Sequence, residues 1–340
     1  MRLSGRFRLT LLVAGLAFAV LAKDSGGFRT ADRQIRVDSE GVMRWTDDGR
    51  EVALLGVNYY TPFNWDYRQI AKKGLDHKAV IRQDVAHFRR LGLDVLRVHC
   101  HESDISRQDG SLRENEHLEL LDYLIAECAS NGIQTVLTPI AAWGGDWFSG
   151  AAESFSYNVG VQRLFAETNR WPVQQRYLED FGRHVNRFTG RCYADDPAIL
   201  CFELVNEPKY PKGTTGRQIA DYANMLCAAL KRSGTKKPIF YSATWTSTDQ
   251  KADAGVQALP YLRTAGVSGV CYCTGLLNRK AHEGPMLSRV RKSSLSALPG
   301  TNRLAKIIYE FDAADVPGAY MYPAMAAMFR HEGVQIAAQF

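Results

Sequence analysis

Eight short, almost wholly apolar runs, separated by stretches with helical periodicity, constrain this chain more than any other feature. The runs cover residues 53–58, 95–99, 135–140, 199–205, 239–242, 269–272, 306–310 and 334–340. They are continuous rather than alternating, which is the pattern of strands covered on both faces, as in parallel sheets. The clearest helical stretches between them are 76–91, 115–131, 173–188, 216–233 and 320–332. In the first of these, Val80, Ile81, Asp84, Val85, Phe88 and Leu91 recur at spacings of three and four and make one face largely apolar. Gly92 stops it and Leu93 opens the next strand; Asn131-Gly132 repeats that joint after the second helix.

Eight strands alternating with helices is the count of an α/β chain folded as a (β/α)8 barrel, which takes about 250 residues. An open doubly wound sheet is the competing architecture, but it usually carries a glycine-rich loop after its first strand. Here that strand is followed by Tyr59, Tyr60, Thr61, Pro62 and Phe63. Neither GxGxxG nor a P-loop occurs, so no nucleotide cofactor is expected. Charged residues make up 23% of the 340, and half of the formal +6 comes from Arg2, Arg6 and Arg8. That bias is too weak to suggest a nucleic-acid partner.

The three arginines precede an apolar run at 9–22, with small residues Val20 and Ala22 before a possible cleavage point. This reads as a secretory signal over 1–22, short of the roughly 20 apolar residues that span a bilayer. The expectation is an exported protein, secreted or periplasmic, with no stable membrane anchor after cleavage. Residues 23–50 form an N-terminal extension with two short strands at 35–37 and 42–45. Residues 51–340 form the barrel, which ends on its eighth strand and so reads as C-terminally incomplete. The seven cysteines include no CxxC pair, and no disulfide pairing or zinc ribbon follows from their spacing.

The C-terminal ends of barrel strands are where such folds build their sites. The first strand ends in Asn58 and Tyr59. The second carries Arg97, His99 and His101 at period two. The fourth, "ILCFELVNEP", closes on Asn206-Glu207-Pro208. The sixth carries Tyr272, and the seventh, "KIIYEFDA", closes on Glu310. A single carboxylate at a strand end is more often structural, but two such strand ends, one preceded by Asn, point to paired-carboxylate chemistry.

With these motifs, residues 56–340 resemble the clan A glycoside hydrolases, the retaining barrel group that includes families 5 and 2. In that clan Asn-Glu ends the fourth strand and Glu ends the seventh. The resemblance implies that Glu207 is the general acid/base and Glu310 the nucleophile, with the carboxyl groups about 5–5.5 Å apart. It implies that Asn206 bonds the sugar 2-hydroxyl, that Arg97 keeps Glu310 ionised, and that Tyr272 donates to Glu310. His99 is expected to bind sugar or support the site. A zinc on His99 and His101 lacks a third ligand or an HExxH motif, so no metal is expected.

Aromatic residues near the strand ends suit a sugar cleft: Tyr59 with Tyr60, Phe63 and Trp65 after the first strand, and Trp143 and Trp147 in "AAWGGDWFSG" after the third. The implied function is an exported retaining β-glycosidase that hydrolyses a β-linked polysaccharide or oligosaccharide without a cofactor. Two other readings use the same residues: a carbohydrate-binding protein on a degenerate barrel, and a transglycosylase in which a sugar rather than water resolves the intermediate.

Overall fold

A computed structural model describes residues 32–59, 66–141, 153–243, 254–274, 286–292, 301–316 and 318–340. Strands β1 (Ile35–Val37) and β2 (Met43–Trp45) form an antiparallel pair outside the barrel. The barrel strands are β3 (Leu54–Asn58), β4 (Val95–His99), β5 (Gln134–Thr138), β6 (Ile199–Glu203), β7 (Ile239–Ser242), β8 (Gly266–Tyr272), β9 (Ala305–Asp312) and β10 (Val334–Gln339). They are all parallel and close in chain order, β10 pairing with β3. The (β/α)8 expectation is met.

Helices α1 (Tyr67–Lys72), α2 (His77–Leu91), α3 (Glu102–Ile105), α4 (Glu116–Ser130), α5 (Val161–Ala166), α6 (Trp171–Arg183), α7 (Gly216–Lys231), α8 (Ala254–Gln257), α9 (Leu287–Lys292) and α10 (Met321–His331) are the α-helices of the described residues. The long ones start and stop for local reasons. The Asp76 carboxylate accepts from Ala79 N at 2.6 Å and caps α2. Gly92, at φ 74°, ends α2 in the left-handed region, where Leu93 N bonds Phe88 O at 3.1 Å. Thr215 and Gln218 form a reciprocal capping box on α7. The helix expected to reach residue 188 stops at Arg183, because the Asn186 side chain accepts from Phe188 N and Thr189 N and turns the chain.

The core has two parts. A large shell between strands and helices includes Leu96, Val98, Leu121, Phe202 and Ile308. A smaller cluster joins Ile35, Met43, Trp45 and Val52 to lower barrel residues Val95, Val136, Cys201, Ile307 and Ile336. The β1–β2 pair thus packs on the N-terminal end of the barrel, and the Gln335 side chain fastens it by bonds to Met43 N, Met43 O and Val52 O. β3 and β4 approach so closely at Gly56 that a Cβ there would lie 1.9 Å from Val95 O.

Candidate active site

Alternation along β4 sends Leu96 and Val98 to the helix shell and Val95, Arg97 and His99 into the barrel. Arg97 is buried and its donors are almost fully used. Nη1 donates to Glu310 Oε1 at 3.0 Å and to Asn58 Oδ1 at 2.9 Å. Nη2 donates to Asn206 Oδ1 at 2.8 Å, and Nε to Glu203 Oε2 at 2.8 Å. Nη2 also bonds Glu203, and the guanidinium lies 4.4 Å from the Tyr309 ring centre. His99 Nε2 sits 2.7 Å from Arg97 Nη1, 3.1 Å from Asn206 Oδ1 and 3.9 Å from Glu310 Oε1. Burial, Arg97 and His101 hold His99 well below the usual histidine range, so its ring is neutral.

Glu310 reaches this cluster through a β-bulge. On β9, Ile307 faces the barrel interior and Ile308 the shell. Tyr309 turns inward again, under Arg97, so strict alternation would send Glu310 outward. Instead β8 pairs Gly269 with Ile308 and then Val270 with Glu310, while β10 pairs Ala337 with Ile308 and then Gln339 with Phe311. One extra residue on β9 therefore turns Glu310 inward and returns Phe311 to the shell. There the Tyr272 hydroxyl donates to Glu310 Oε2.

Glu207 follows β6. Asn206 N bonds Ile140 O at 2.8 Å, and Glu207 adopts φ 39°, a left-handed conformation that costs a non-glycine residue about 1–3 kcal/mol. Its Oε1 accepts from the Tyr309 hydroxyl at 3.5 Å. Asn206 uses its oxygen on Arg97, and its buried Nδ2 has no hydrogen-bond partner among the described residues. An amide donor left this way suits a ligand hydroxyl.

The electrostatics differ from the sequence expectation. Burial lifts the Glu310 carboxyl to about 7, and Glu207 and Glu203 add to the rise; Arg97 and the Tyr272 hydroxyl pull it down without prevailing. Arg97 thus favours the ionised form of Glu310 as expected, but burial outweighs it, and Arg97 is shared with Glu203. This third carboxylate, buried on β6, takes Arg97 Nε and Nη2 and is further bonded by Thr138 Oγ1 at 2.7 Å and by Ser268 Oγ. One cation serves two acids, and the closer pairing is with Glu203.

Of the residues singled out in the sequence, Arg97, His99, Asn206, Glu207, Tyr272 and Glu310 converge here. Tyr59 does not. Asn58 faces Arg97, so the next residue faces the other way: the Tyr59 ring packs edge-on to Phe88 of α2 and its hydroxyl donates to Asp84 Oδ2 at 2.6 Å. It is a shell residue, corrected from the sugar-cleft expectation. Trp143 and Trp147 lie outside the described residues, as do Tyr60, Phe63 and Trp65 and the signal at 1–22. His101, at φ 47°, begins the turn into α3, and burial lowers it to about 3. Two participants were missed in the sequence, Glu203 and Tyr309. An acid inside the otherwise apolar stretch 199–205 was the available signal for Glu203, because a buried charge requires a partner.

Paired glutamates at the C-terminal ends of the fourth and seventh barrel strands, beside an Arg–Asn–Tyr cluster, define a barrel of the glycoside-hydrolase type. The cellulase family, glycosyl hydrolase family 5, matches residues 57–265, and the chain belongs to that family. Mannan endo-1,4-beta-mannosidase 2 of Arabidopsis thaliana is 28% identical over 131 residues, 34% of this chain and 28% of that protein. Mannan endo-1,4-beta-mannosidase 1 of Solanum lycopersicum is 28% identical over 123 residues, 34% of this chain and 30% of that protein. The matched part is thus under a third of these curated relatives. The crystal structure of an endo-1,4-beta-mannanase from Rhizomucor miehei superposes with a TM-score of 0.66 at 16% identity, covering 90% of each chain. A mannanase from Thermotoga petrophila superposes with a TM-score of 0.63 at 15% identity, covering 84% of this chain and 87% of that one. At such identity the likeness is one of fold.

Proposed function

We propose that this chain hydrolyses a β-linked polysaccharide of the β-1,4-mannan type by double displacement with retention. The observation that carries this reading is the convergence of Glu310, Arg97, Asn206 and Tyr272 beside Glu207 at one end of the barrel. The mannan preference is supported by what the curated relatives are named for.

Glu310 Oε1, on Arg97, and Oε2, under Tyr272, fix the plane of the carboxylate that attacks the anomeric carbon. Glu207 gives its proton to the departing oxygen and later takes one from water. The Asn206 amide Nδ2 donates to the sugar 2-hydroxyl, a bond that strengthens as the ring gains oxocarbenium character. Tyr272 is held far above the ordinary tyrosine range by burial and by Glu310, so it remains a donor throughout. Because Glu310 sits near 7, substrate turnover should rise with pH as that carboxyl ionises.

The protein is further proposed to be exported through residues 1–22, a reading supported by the arginine-led apolar run. Reducing ends released from β-1,4-mannan, cellulose and β-galactan test the substrate, and NMR of the first-formed product tests the stereochemistry. Mannan release with retained configuration is expected. Inverted product overturns Glu310 as nucleophile, and preference for another polymer overturns the mannan assignment. N-terminal sequencing of the exported form should begin near Lys23; a cytoplasmic protein retaining Met1 overturns export.

A further inference from the structure

Tyr272 lies between two cysteines. The Sγ atoms of Cys271 and Cys273 are 3.3 Å apart, and both residues are thiols buried in the strand–helix shell. Alternation at the end of β8 puts them on the face opposite Tyr272, whose hydroxyl bonds Glu310 in the barrel. We infer that Cys271 and Cys273 are an oxidisable dithiol whose closure to a disulfide displaces Tyr272 from Glu310.

The geometry makes the bond possible and makes it costly to Tyr272. A disulfide needs its sulfurs about 2.05 Å apart, so the two must close by roughly 1.2 Å. Two residues of extended strand span about 6.6 Å, near the upper limit of the Cα separation a disulfide tolerates. β8 ends at Tyr272, and Cys273 and Thr274 already form a turn, so the chain can shorten there. The residue that must rotate is the one between the sulfurs. A rotation that moves the hydroxyl by about 1 Å breaks its hydrogen bond.

The oxidant is hydrogen peroxide. One thiolate sulfur attacks the peroxide oxygen: an S–O bond forms, the O–O bond breaks and water departs. The second sulfur attacks the resulting sulfenic acid: S–S forms, S–O breaks and a second water departs. Two thiols lose two electrons and two protons, and the peroxide is reduced to water.

Losing the tyrosine leaves Glu310 with a weaker hold. The charged and titratable groups facing it are Arg97 and His99 from β4, Glu203 from β6, Glu207 after β6, and Tyr272 and Tyr309 from β8 and β9. Only Arg97 and Tyr272 favour its ionised form among the contributions named above. Oxidation therefore removes one of two supports, raises the pH at which Glu310 ionises, and releases the carboxylate plane. A misplacement of about 1 Å at a reacting group costs on the order of 10²-fold in rate.

The test treats the full chain with hydrogen peroxide and weighs the peptide holding both cysteines. A loss of two hydrogens, reversed by dithiothreitol, is expected, with hydrolysis slowed on the order of 10²-fold and restored together with the thiols. Reduced Tyr272→Phe should match the oxidised parent in rate, and peroxide should not slow it further. Cys273→Ser should keep the parent rate and not respond to peroxide; Cys271→Ser replaces it if it does not accumulate. The rate readout rests on the proposed role of Glu310, so the pH dependence of thermal stability is measured on both forms as well, since it follows the Glu310 carboxyl without turnover. A disulfide with that titration moved upward, in a chain that hydrolyses nothing, sinks the functional reading and keeps this inference. Thiols that survive peroxide, a disulfide with an unmoved titration, or equal inactivation of Cys273→Ser overturn the inference.

Discussion

Glu310→Gln isolates what burial does to the central carboxylate. Glutamine keeps the size and a carbonyl oxygen for Arg97 Nη1, and its amide can donate to the Tyr272 oxygen. Removing the charge does not strand Arg97, because Glu203 already holds Nε and Nη2. The substitution thus removes a proton-binding site and little else. In the folded chain Glu310 holds its proton up to about 7, against an ordinary value of 4.5. Between those values the native state keeps a proton that the unfolded chain has released, so the contribution of Glu310 to stability is fully present below 4.5 and lost as pH rises through 7. At about 1.4 kcal/mol per pH unit, that interval is worth about 3 kcal/mol. Urea unfolding followed by tryptophan fluorescence, at constant ionic strength across this range, gives the assay. The stability of the parent minus that of Glu310→Gln should fall by about 3 kcal/mol from pH 4.5 to pH 7 and then level off, with the variant the more stable protein in alkali. A flat difference, or one that rises with pH, means that Arg97 outweighs burial and holds Glu310 ionised.

Three further outcomes follow from the same geometry. Glu203→Gln gives Arg97 to Glu310 alone, so the acid limb of the kcat/KM profile should move down by about one pH unit; an unmoved or raised limb refutes the shared-cation account. With an activated aryl glycoside and azide, Glu207→Ala, weakened roughly 10²–10⁴-fold on natural substrate, should give a glycosyl azide of retained configuration and Glu310→Ala the inverted one, and the same anomer from both refutes the division of roles. Gly56→Ala places a Cβ 1.9 Å from Val95 O, so urea unfolding should show a loss of about 1–3 kcal/mol, and an unchanged midpoint means that β3 and β4 separate without penalty.

Much of the site was legible because strand parity is local. Arg97 and His99 are two residues apart on β4 and face one way. Parity also places Tyr59 opposite Asn58, so the correction at Tyr59 comes from information already in the chain. Glu203 stood in plain view inside an apolar strand, but its partner Arg97 is 106 residues away and only the closed barrel joins them. The helix ends at Gly92 and Asp76 were readable for the same local reason, whereas the turn at Asn186 that ends α6 is also held by Asp122 O, 64 residues away, which accepts from the Asn186 amide.

The sequence by itself determined the alternation of strands and helices, the closure count of eight, and the residue types at the strand ends. These depend on side-chain periodicity and on caps that act within a turn or two. The tertiary structure decided which side chains meet and in what charge state. The extra residue at Tyr309 turns Glu310 inward only relative to the registers of β8 and β10. The left-handed backbone at Glu207 persists because the surrounding barrel holds it. The rise of Glu310 to about 7 is a sum over burial, Arg97, Tyr272, Glu207 and Glu203, contributed by β4, β6, β8 and β9. No stretch of sequence contains that sum, because desolvation and Coulomb interactions act through space between segments far apart along the chain.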